Sequence, residues 1–409
     1  MQQPDNACPE WVTIELLQKA VRSYKNDDTF EVDDFSVKSG FSEHFASVMF
    51  QCKINCKSVN SERETLNVVV KARQITEGLN AIACEGPMFE NEIRMYTSTL
   101  PAFNRLFSRF GMNIDLAPEF IYATNDPFPI IILKDLTIDG YFAPRTSFED
   151  LEDTKQVIQR IAQFHAASFY LSGTNQMDFH DYKYTAYENE AIFYKLYNTS
   201  VNVFKEVLET WDGYQELIPK IERYMEQIGE IGRKSHTVNK ANYGYNVLNH
   251  GDFHSRNLLV KLNSEQNLQQ FCLIDYQLSI YCSPAVDLNY AAGMLSRDDN
   301  GDIPYEDIIT FYHQEFVKTL NTFGYTEPIP SLIDLNVELI RHGRTNVLMQ
   351  IVFIPYAYID WTTTRMEDFM GTNENDEKAK MFKKSLYNQP ICKAIMQRTL
   401  KSFIHKGWL

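Results

Sequence analysis

The sequence lacks any apolar run of the roughly 20 residues that a membrane-spanning helix requires. It begins with a polar stretch, MQQPDNACPEW, and so lacks the basic and then apolar order of a secretory signal. From these two absences we expect a cytoplasmic protein that has no membrane partner.

Positive charge is also scarce. The 39 Lys and Arg residues face 54 Asp and Glu residues, which gives a formal net charge of -15. Because an acidic surface repels a phosphodiester backbone, we expect no nucleic-acid partner. We also predict no obligate protein partner. The acidity still allows ATP, since a few local cations and Mg²⁺ suffice to hold a triphosphate.

Cysteine usage argues against a disulfide framework, because the seven cysteines are odd in number and irregularly spaced. Cys52 and Cys56 are spaced like a pair of metal ligands, but no second pair follows them. Their even spacing in a strand-like run places both side chains on one face. We therefore expect two buried thiols.

Hydrophobic periodicity predicts an α+β chain. Residues 11–24 show helical spacing, and strand-like runs rich in Val, Phe and Ile follow. Helical spacing returns at 87–100, and EFIYAT and PIIILKDL are two further strand candidates. After residue 135 the patterns are mainly helical. We therefore predict a nucleotide-binding domain at 1–134 and a catalytic, substrate-binding domain at 135–409, with a cleft between them.

The densest polar cluster is HGDFHSRN at 250–257, which the apolar LLV follows directly. A second β run, FCLIDY, places Asp275 at its end. Two β runs with a polar connection predict a hairpin, and a hairpin brings its outer ends together. Asn257 and Asp275 are therefore expected to be neighbours, with Asp252 a few residues upstream.

Those three side chains match the needs of phosphoryl transfer, and we predict all three as catalytic. Mg²⁺ takes oxygen ligands, so Asn257 and Asp275 are the candidate metal ligands. Asp252 is the candidate acceptor for the proton of the attacking hydroxyl. A lone Asp or Asn in a loop usually caps or turns the chain, but this compound pattern favours catalysis.

Lys71 lies inside the apolar run LNVVVKA, where an unpaired ammonium would be costly. Glu92 on the following helix is the candidate partner, and Glu90 and Glu85 compete with it. A paired Lys71 would contact the α and β phosphates of ATP. The alternative is an exposed lysine on an edge strand, with its ammonium in solvent.

Two further segments are candidates for nucleotide contacts. Ser39, Gly40 and Ser42 lie at a predicted turn between strands, where backbone N–H groups would cover phosphates, although small residues mark any hairpin. PIIILKDL connects the two predicted domains, and its backbone from Lys134 to Leu136 is expected to hydrogen-bond to adenine. The alternative is an ordinary connection.

HGDFHSRNLLVK, LIDYQLS and SPAVDLNY together resemble the ecdysteroid-kinase-like family, which is related to choline and aminoglycoside kinases. The resemblance implies a protein-kinase-like two-lobe fold and ATP-dependent phosphorylation of a hydroxyl. It also implies that Asp287 braces the catalytic loop, where the residues alone suggest a helix cap. His165 matches a family motif, yet we expect a core histidine there.

The implied substrate is an ecdysteroid or a similar hydroxylated steroid or xenobiotic. The chain departs from many members at His254, Arg256 and Lys134, where they have Trp, Asn and an acid. Three alternatives remain: a choline or aminoglycoside-type kinase, a catalytically inactive kinase-fold binding protein, and a metal-dependent hydrolase. The hydrolase is suggested by the H-x-D-x-H spacing at 250–254.

Overall fold

The structure is a computed structural model that describes residues 8–39, 47–59, 61–73, 87–144, 147–188, 190–240, 244–295, 305–359 and 377–409. The chain divides into two compact units. The first contains Met1–Asn104, Ile114–Phe142 and Leu259–Gln277, and the second contains Arg105–Asn113, Ala143–Leu258 and Leu278–Leu409. The first unit therefore includes a segment far beyond residue 134, and the single boundary at 134/135 stays a prediction.

The first unit contains a five-stranded antiparallel sheet in the order β1-β2-β3-β5-β4. Its strands are β1 (Glu31–Ser39), β2 (Ser47–Ser58), β3 (Ser61–Arg73), β4 (Phe120–Thr124) and β5 (Ile130–Lys134). Helix α1 (Ile14–Lys25) precedes the sheet. Thr13 caps the start of α1, and Asn26 ends it in the left-handed conformation, with φ of 50°.

Alternation along the central strands builds the core of this unit. Cys52, Ile54 and Cys56 on β2 are all buried, so these two cysteines share one face as predicted. Both are free thiols. Val70 on β3 and Ile132 on β5 are buried in the same core, and the two residues are paired across the strands.

Helix α2 (Met88–Arg94) follows β3 along the chain and runs through a π-helical turn, Met95–Thr99, into α3 (Leu100–Arg109). The predicted hairpin is present as β7 (Leu258–Leu262) paired with β8 (Leu268–Leu273). Its second strand joins the rest of the first unit, because Leu273 N–H donates to the Leu116 carbonyl at 3.1 Å.

The second unit is mainly helical. Its helices are α4 (Leu151–Gly173), α5 (Glu190–Glu209), α6 (Ile218–Glu226), α7 (Ile228–Ser235), α8 (Ala285–Met294), α9 (Tyr305–Thr322), α10 (Leu332–His342), α11 (Arg344–Phe353), α12 (Glu377–Tyr387) and α13 (Pro390–His405). A short antiparallel pair, β6 (Val247–Asn249) and β9 (Ile280–Cys282), lies among them. The predicted α+β class, with a β-rich first lobe and a mainly helical second lobe, is confirmed.

Helical spacing in the sequence extends over 214–235, 331–352 and 376–405, but in the structure each of these three segments contains two helices. In the segment 376–405 the break falls before Pro390, which has no backbone N–H and so begins α13. In the segment 331–352 it falls at Gly343. Within the described part of the chain, no helix combines the length and apolar character needed to cross a membrane.

The sheet core gives a stability prediction. Ile132→Ala removes three buried carbon atoms from β5, where the side chain is fully buried. We expect the free energy of unfolding to fall by about 2–5 kcal/mol. Urea denaturation of both variants measures this, with Ile333→Ala as the control because Ile333 is 75% exposed. Equal losses in the two variants would contradict the assignment of Ile132 to the core.

Candidate active site

Lys71, Glu92 and Asp275 form a buried ionic cluster in the first unit. The Lys71 Nζ atom lies 2.6 Å from Glu92 Oε2 and 2.7 Å from Asp275 Oδ1. Strand β3 supplies Lys71, helix α2 supplies Glu92, and Asp275 follows the hairpin. Of the competing partners, Glu90 pairs with Arg73 at 3.0 Å, and Glu85 lies outside the described residues.

Burial and charge act in opposite directions on this cluster. Burial alone lowers the pKa of an ammonium, but Asp275 and Glu92 outweigh it and hold the pKa of Lys71 above its ordinary range. Burial and the negative charge of Asp275 raise the pKa of Glu92 to about 7, against the opposing charge of Lys71. One ammonium between two carboxylates is thus fixed in place and stays charged.

Asp275 adopts an unusual backbone conformation. Strand β8 ends at Leu273, so the expectation that Asp275 ends a β run is wrong by two residues. Asp275 has a φ of 65°, in the left-handed region that Asp adopts more readily than most residues. The backbone therefore leaves the strand direction at Asp275, and the Asp275 side chain contacts Lys71 and not a cross-strand neighbour.

The other predicted nucleotide contacts are only partly described. Gly40 and Ser42 lie outside the described residues, and Ser39 is the last residue of β1. The backbone N–H of Lys134 donates to the Glu119 carbonyl at 2.9 Å, so it is already engaged within the first unit. Leu136 begins a short 3-10 helix directly after. Adenine contacts by Lys134 and Leu136 stay a prediction.

Asp252 lies in the loop between β6 and β7, in the second unit. Its side chain is 24% exposed, and its Oδ1 is 3.5 Å from the Nε2 of His254. Burial tends to raise the pKa of Asp252, but His254, His250 and a hydrogen bond from the Tyr290 hydroxyl outweigh it and lower the pKa to about 2. The carboxylate is therefore ionised at neutral pH and can accept a hydrogen bond.

Asn257 is bonded directly to Asp252. Its Nδ2 donates to the Asp252 backbone carbonyl and to Asp252 Oδ2, both at 2.9 Å. Because both bonds use the amide nitrogen, the amide oxygen is the atom that remains for a cation. An amide oxygen is a ligand type that Mg²⁺ accepts, as is the carboxylate of Asp275.

The histidine spacing that suggests a hydrolase is explained by local hydrogen bonding. His254 Nδ1 accepts the backbone N–H of Arg256 at 3.2 Å, and its Nε2 faces Asp252. A neutral imidazole with Nδ1 as acceptor carries its proton on Nε2. Both ring nitrogens of His254 thus face partners within the loop, which argues against the H-x-D-x-H interpretation.

Gly251, next to Asp252, is required by the backbone. Its φ is 84°, and an added Cβ would lie 1.9 Å from the carbonyl oxygen of Leu278. No L side chain fits this contact without moving the main chain. The close approach fixes the backbone directly before the candidate base.

Asp287 on α8 holds the same loop from behind. Its Oδ2 accepts the backbone N–H of His250 at 2.7 Å, and its Oδ1 accepts that of Gly251 at 2.8 Å. Helix α8 begins after Pro284, so Asp287 is not its N-cap. The bracing contacts that the resemblance implies are present, and the helix-cap interpretation is wrong.

His165 completes this bracing from α4. Its Nε2 donates to Asp287 Oδ2 at 3.1 Å, and its Nδ1 accepts the Tyr312 hydroxyl at 2.7 Å. The ring is fully buried with both nitrogens paired. The expectation of a satisfied core histidine is confirmed. Sequence reasoning missed that its hydrogen bond reaches the loop through Asp287.

The predicted residues thus fall into two described groups. Lys71, Glu92 and Asp275 meet in the first unit, and Asp252 and Asn257 meet in the second. That the two groups act on one nucleotide stays a prediction. Within the second unit, Asp252 also lines a cavity of about 90 Å³, together with Tyr290 and Tyr197.

The sequence profile of the ecdysteroid kinase-like family matches residues 42–325, more than half of the chain. A search of curated proteins found no significant match.

Among solved structures, spectinomycin phosphotransferase in complex with ADP and spectinomycin is 14% identical, covering 93% of this chain and 95% of that one at a TM-score of 0.41. Aminoglycoside 2′-phosphotransferase-IIIa with GDP is 12% identical (93% and 99% covered, TM-score 0.39). Plasmodium vivax ethanolamine kinase is 10% identical (90% and 84% covered, TM-score 0.35). Similarity at this level carries no argument of its own about function.

The raised pKa of Glu92 gives a pH prediction. In the folded protein the pKa of Glu92 is raised to about 7, from an ordinary value of 4.5 in the unfolded chain. The native state is therefore destabilised, relative to the unfolded state, as the pH rises through that window. In Glu92→Gln this contribution is absent, so the variant should lose less stability than wild type between pH 5 and 7.

Urea midpoints of both proteins at the two pH values measure the difference. Glu90→Gln is the matched control, because Glu90 is exposed and pairs with Arg73. The interpretation is wrong if Glu92→Gln and wild type show the same change with pH.

The bracing role of Asp287 gives a second prediction. Asp287→Ala leaves two backbone N–H groups without their acceptor, and we expect a loss of about 3 kcal/mol or more in unfolding free energy. Asp150→Ala is the control, since Asp150 only caps α4 and should cost about 1 kcal/mol. Denaturant titration compares them. A loss for Asp287→Ala no greater than for Asp150→Ala would refute the bracing.

Proposed function

The chain belongs to the ecdysteroid kinase-like family and has a two-lobe protein-kinase-like fold, and from this premise we propose that it transfers the γ-phosphate of ATP to a hydroxyl of a small molecule. The acceptor is an ecdysteroid or a similar hydroxylated steroid or xenobiotic. The observation that carries the proposal is the ionised carboxylate of Asp252, which lines a cavity. The loop that carries Asp252 is held in place by Asp287 and by the close backbone contact at Gly251.

In this proposal Asp252 orients the attacking hydroxyl. The low pKa of its carboxylate makes Asp252 a weak base. A weak base suits phosphoryl transfer, because its loose transition state depends more on the position of the nucleophile than on early removal of the proton. The acceptor oxygen forms a bond to the γ-phosphorus as the bond from that phosphorus to the ADP oxygen breaks. The hydroxyl proton passes to Asp252 and then to solvent.

Lys71 contacts the α and β phosphates in the proposed complex. The Lys71 ammonium is already held between two carboxylates, so little side-chain freedom is lost when a phosphate binds. Glu92 keeps Lys71 oriented. Backbone groups at Ser39, Gly40 and Ser42 and at Lys134 and Leu136 are the remaining proposed nucleotide contacts.

Asn257 and Asp275 are the proposed Mg²⁺ ligands. The fit rests on donor chemistry, because an amide oxygen and a carboxylate are hard ligands of the kind that Mg²⁺ binds. Bound Mg²⁺ would neutralise charge on the phosphates. The fixed Nδ2 bonds from Asn257 to Asp252 orient the amide oxygen before any ion binds.

We place the reaction in the cytoplasm and infer neither a nucleic-acid partner nor an obligate protein partner. Support for this comes from the net charge of -15 and from the six described cysteines, which are all free. The acceptor is therefore proposed to reach the enzyme as a dissolved small molecule.

The direct test combines ATP, Mg²⁺ and a panel of steroids and xenobiotic alcohols with purified protein, and measures ADP release and the phosphorylated product. Asp252→Asn should lower kcat on the order of 10²–10⁴-fold and keep nucleotide binding. Asp275→Ala should also weaken Mg²⁺–ATP binding. Asp178→Asn, on an exposed carboxylate, is the control. Near-normal turnover by Asp252→Asn would contradict the proposal.

A further inference from the structure

A short 3-10 helix, Ser255–Asn257, lies just after Asp252 in the loop, and residues at its two ends face the Asp252 carboxylate. Asn257, its last residue, donates an amide N–H to Asp252 Oδ2 at 2.9 Å. His254 caps its start and faces the other carboxylate oxygen, with Nε2 at 3.5 Å from Asp252 Oδ1. Both oxygens of the candidate base are therefore contacted from one element.

Contact at both oxygens matters because the end of an aspartate side chain rotates easily. The torsion about its Cβ–Cγ bond has a broad energy minimum, so a carboxylate that is bonded at one oxygen alone is only loosely oriented. A donor at the second oxygen fixes the plane of the carboxylate. The direction of the remaining lone pairs is then set before an acceptor hydroxyl binds.

The His254 ring is itself held in one orientation. Its Nδ1 accepts the backbone N–H of Arg256 at 3.2 Å, so the neutral ring carries its proton on Nε2, the atom that faces Asp252. The ring lies beside the ring of Tyr290, with the two centroids 5.9 Å apart. His254 therefore presents an N–H to the carboxylate with little rotational freedom of its own.

The Tyr290 hydroxyl donates to the same carboxylate from α8. An ionised carboxylate has about four acceptor positions. The donors from Asn257, His254 and Tyr290 occupy most of these positions and leave about one for an incoming hydroxyl. The contacts therefore define the direction from which that hydroxyl approaches Asp252.

We propose that His254 is a positioning residue for phosphoryl transfer, whose Nε2–H orients the Asp252 carboxylate while its Nδ1 caps the 3-10 helix that carries Asn257. The inference rests on the proposed function, because it assigns His254 to the same reaction. His254 takes no proton from the acceptor hydroxyl, since its Nε2 already carries one. The two roles belong to different atoms of the ring, so they are separable by substitution.

Two substitutions separate the roles. His254→Asn keeps an oxygen near the place of Nδ1, where asparagine is a good cap, and leaves nothing at the place of Nε2. His254→Gln carries an amide N–H to about the place of Nε2 and leaves the Arg256 N–H without its cap. The measurements are kcat, the KM values for ATP and for the acceptor, and the urea midpoint. The acceptor is the one that wild type phosphorylates fastest among the steroids and xenobiotic alcohols.

His254→Asn should lower kcat roughly 10-fold, the effect of losing one hydrogen bond to a charged group, with both KM values and the urea midpoint close to wild type. His254→Gln should show the reverse, a lower urea midpoint with kcat close to wild type. His180→Asn is the matched control and should leave kcat unchanged, because His180 also lies beside a carboxylate, Asp178, but both side chains are exposed.

The inference is overturned if His254→Asn keeps the kcat of wild type, or if kcat follows the urea midpoint in both variants, as a purely structural role predicts. A double-mutant cycle of His254→Asn with Asp252→Ala, measured by urea denaturation, tests the contact without turnover. The cost of the double substitution should differ from the sum of the single costs, and additive costs would also overturn the inference. If wild type phosphorylates no acceptor, the proposed function fails, and the cycle decides whether His254 orients Asp252.

Discussion

The carboxylate of Asp287 is the interaction on which the candidate active site depends. It accepts two backbone N–H groups of the catalytic loop and one ring N–H of His165, all in a buried setting. Backbone donors buried without an acceptor are costly, so the loop and α8 cannot separate without a large penalty. Helices α4 and α8 thereby fix the position of the loop that carries Asp252.

The same principle governs the first unit, with charge in place of backbone donors. Lys71 alone in the sheet would be expelled by its desolvation cost, and two carboxylates retain it. Such an arrangement contributes little net stability compared with an apolar core. It is better understood as a means of orienting an ammonium, because each of its two bonds removes rotational freedom from the lysine side chain.

Much of this was predictable from periodicity and local chemistry. The charge of Lys71 inside a Val-rich run already predicted a buried pair, and an acid one helix later was the nearest partner. The hairpin followed from two β runs with a polar connection, and the shared face of Cys52 and Cys56 followed from strand alternation. For each of these features a local rule, such as strand alternation or the cost of burying a charge, was sufficient for the prediction.

The remainder depends on tertiary contacts that spacing does not encode. The left-handed turn at Asp275 and the two-residue shift of its strand end require knowledge of the partner, Lys71. Asp287 looked like a helix cap because the sequence shows only its helix and not the loop it faces.

Position 251 shows how this architecture limits divergence. The carbonyl of Leu278 occupies the space that any side chain at 251 would need. Every codon change there that replaces glycine displaces the main chain beside the reacting group. A change of acceptor preference must therefore come from positions other than 251, among them the side chains that line the cavity beside Asp252.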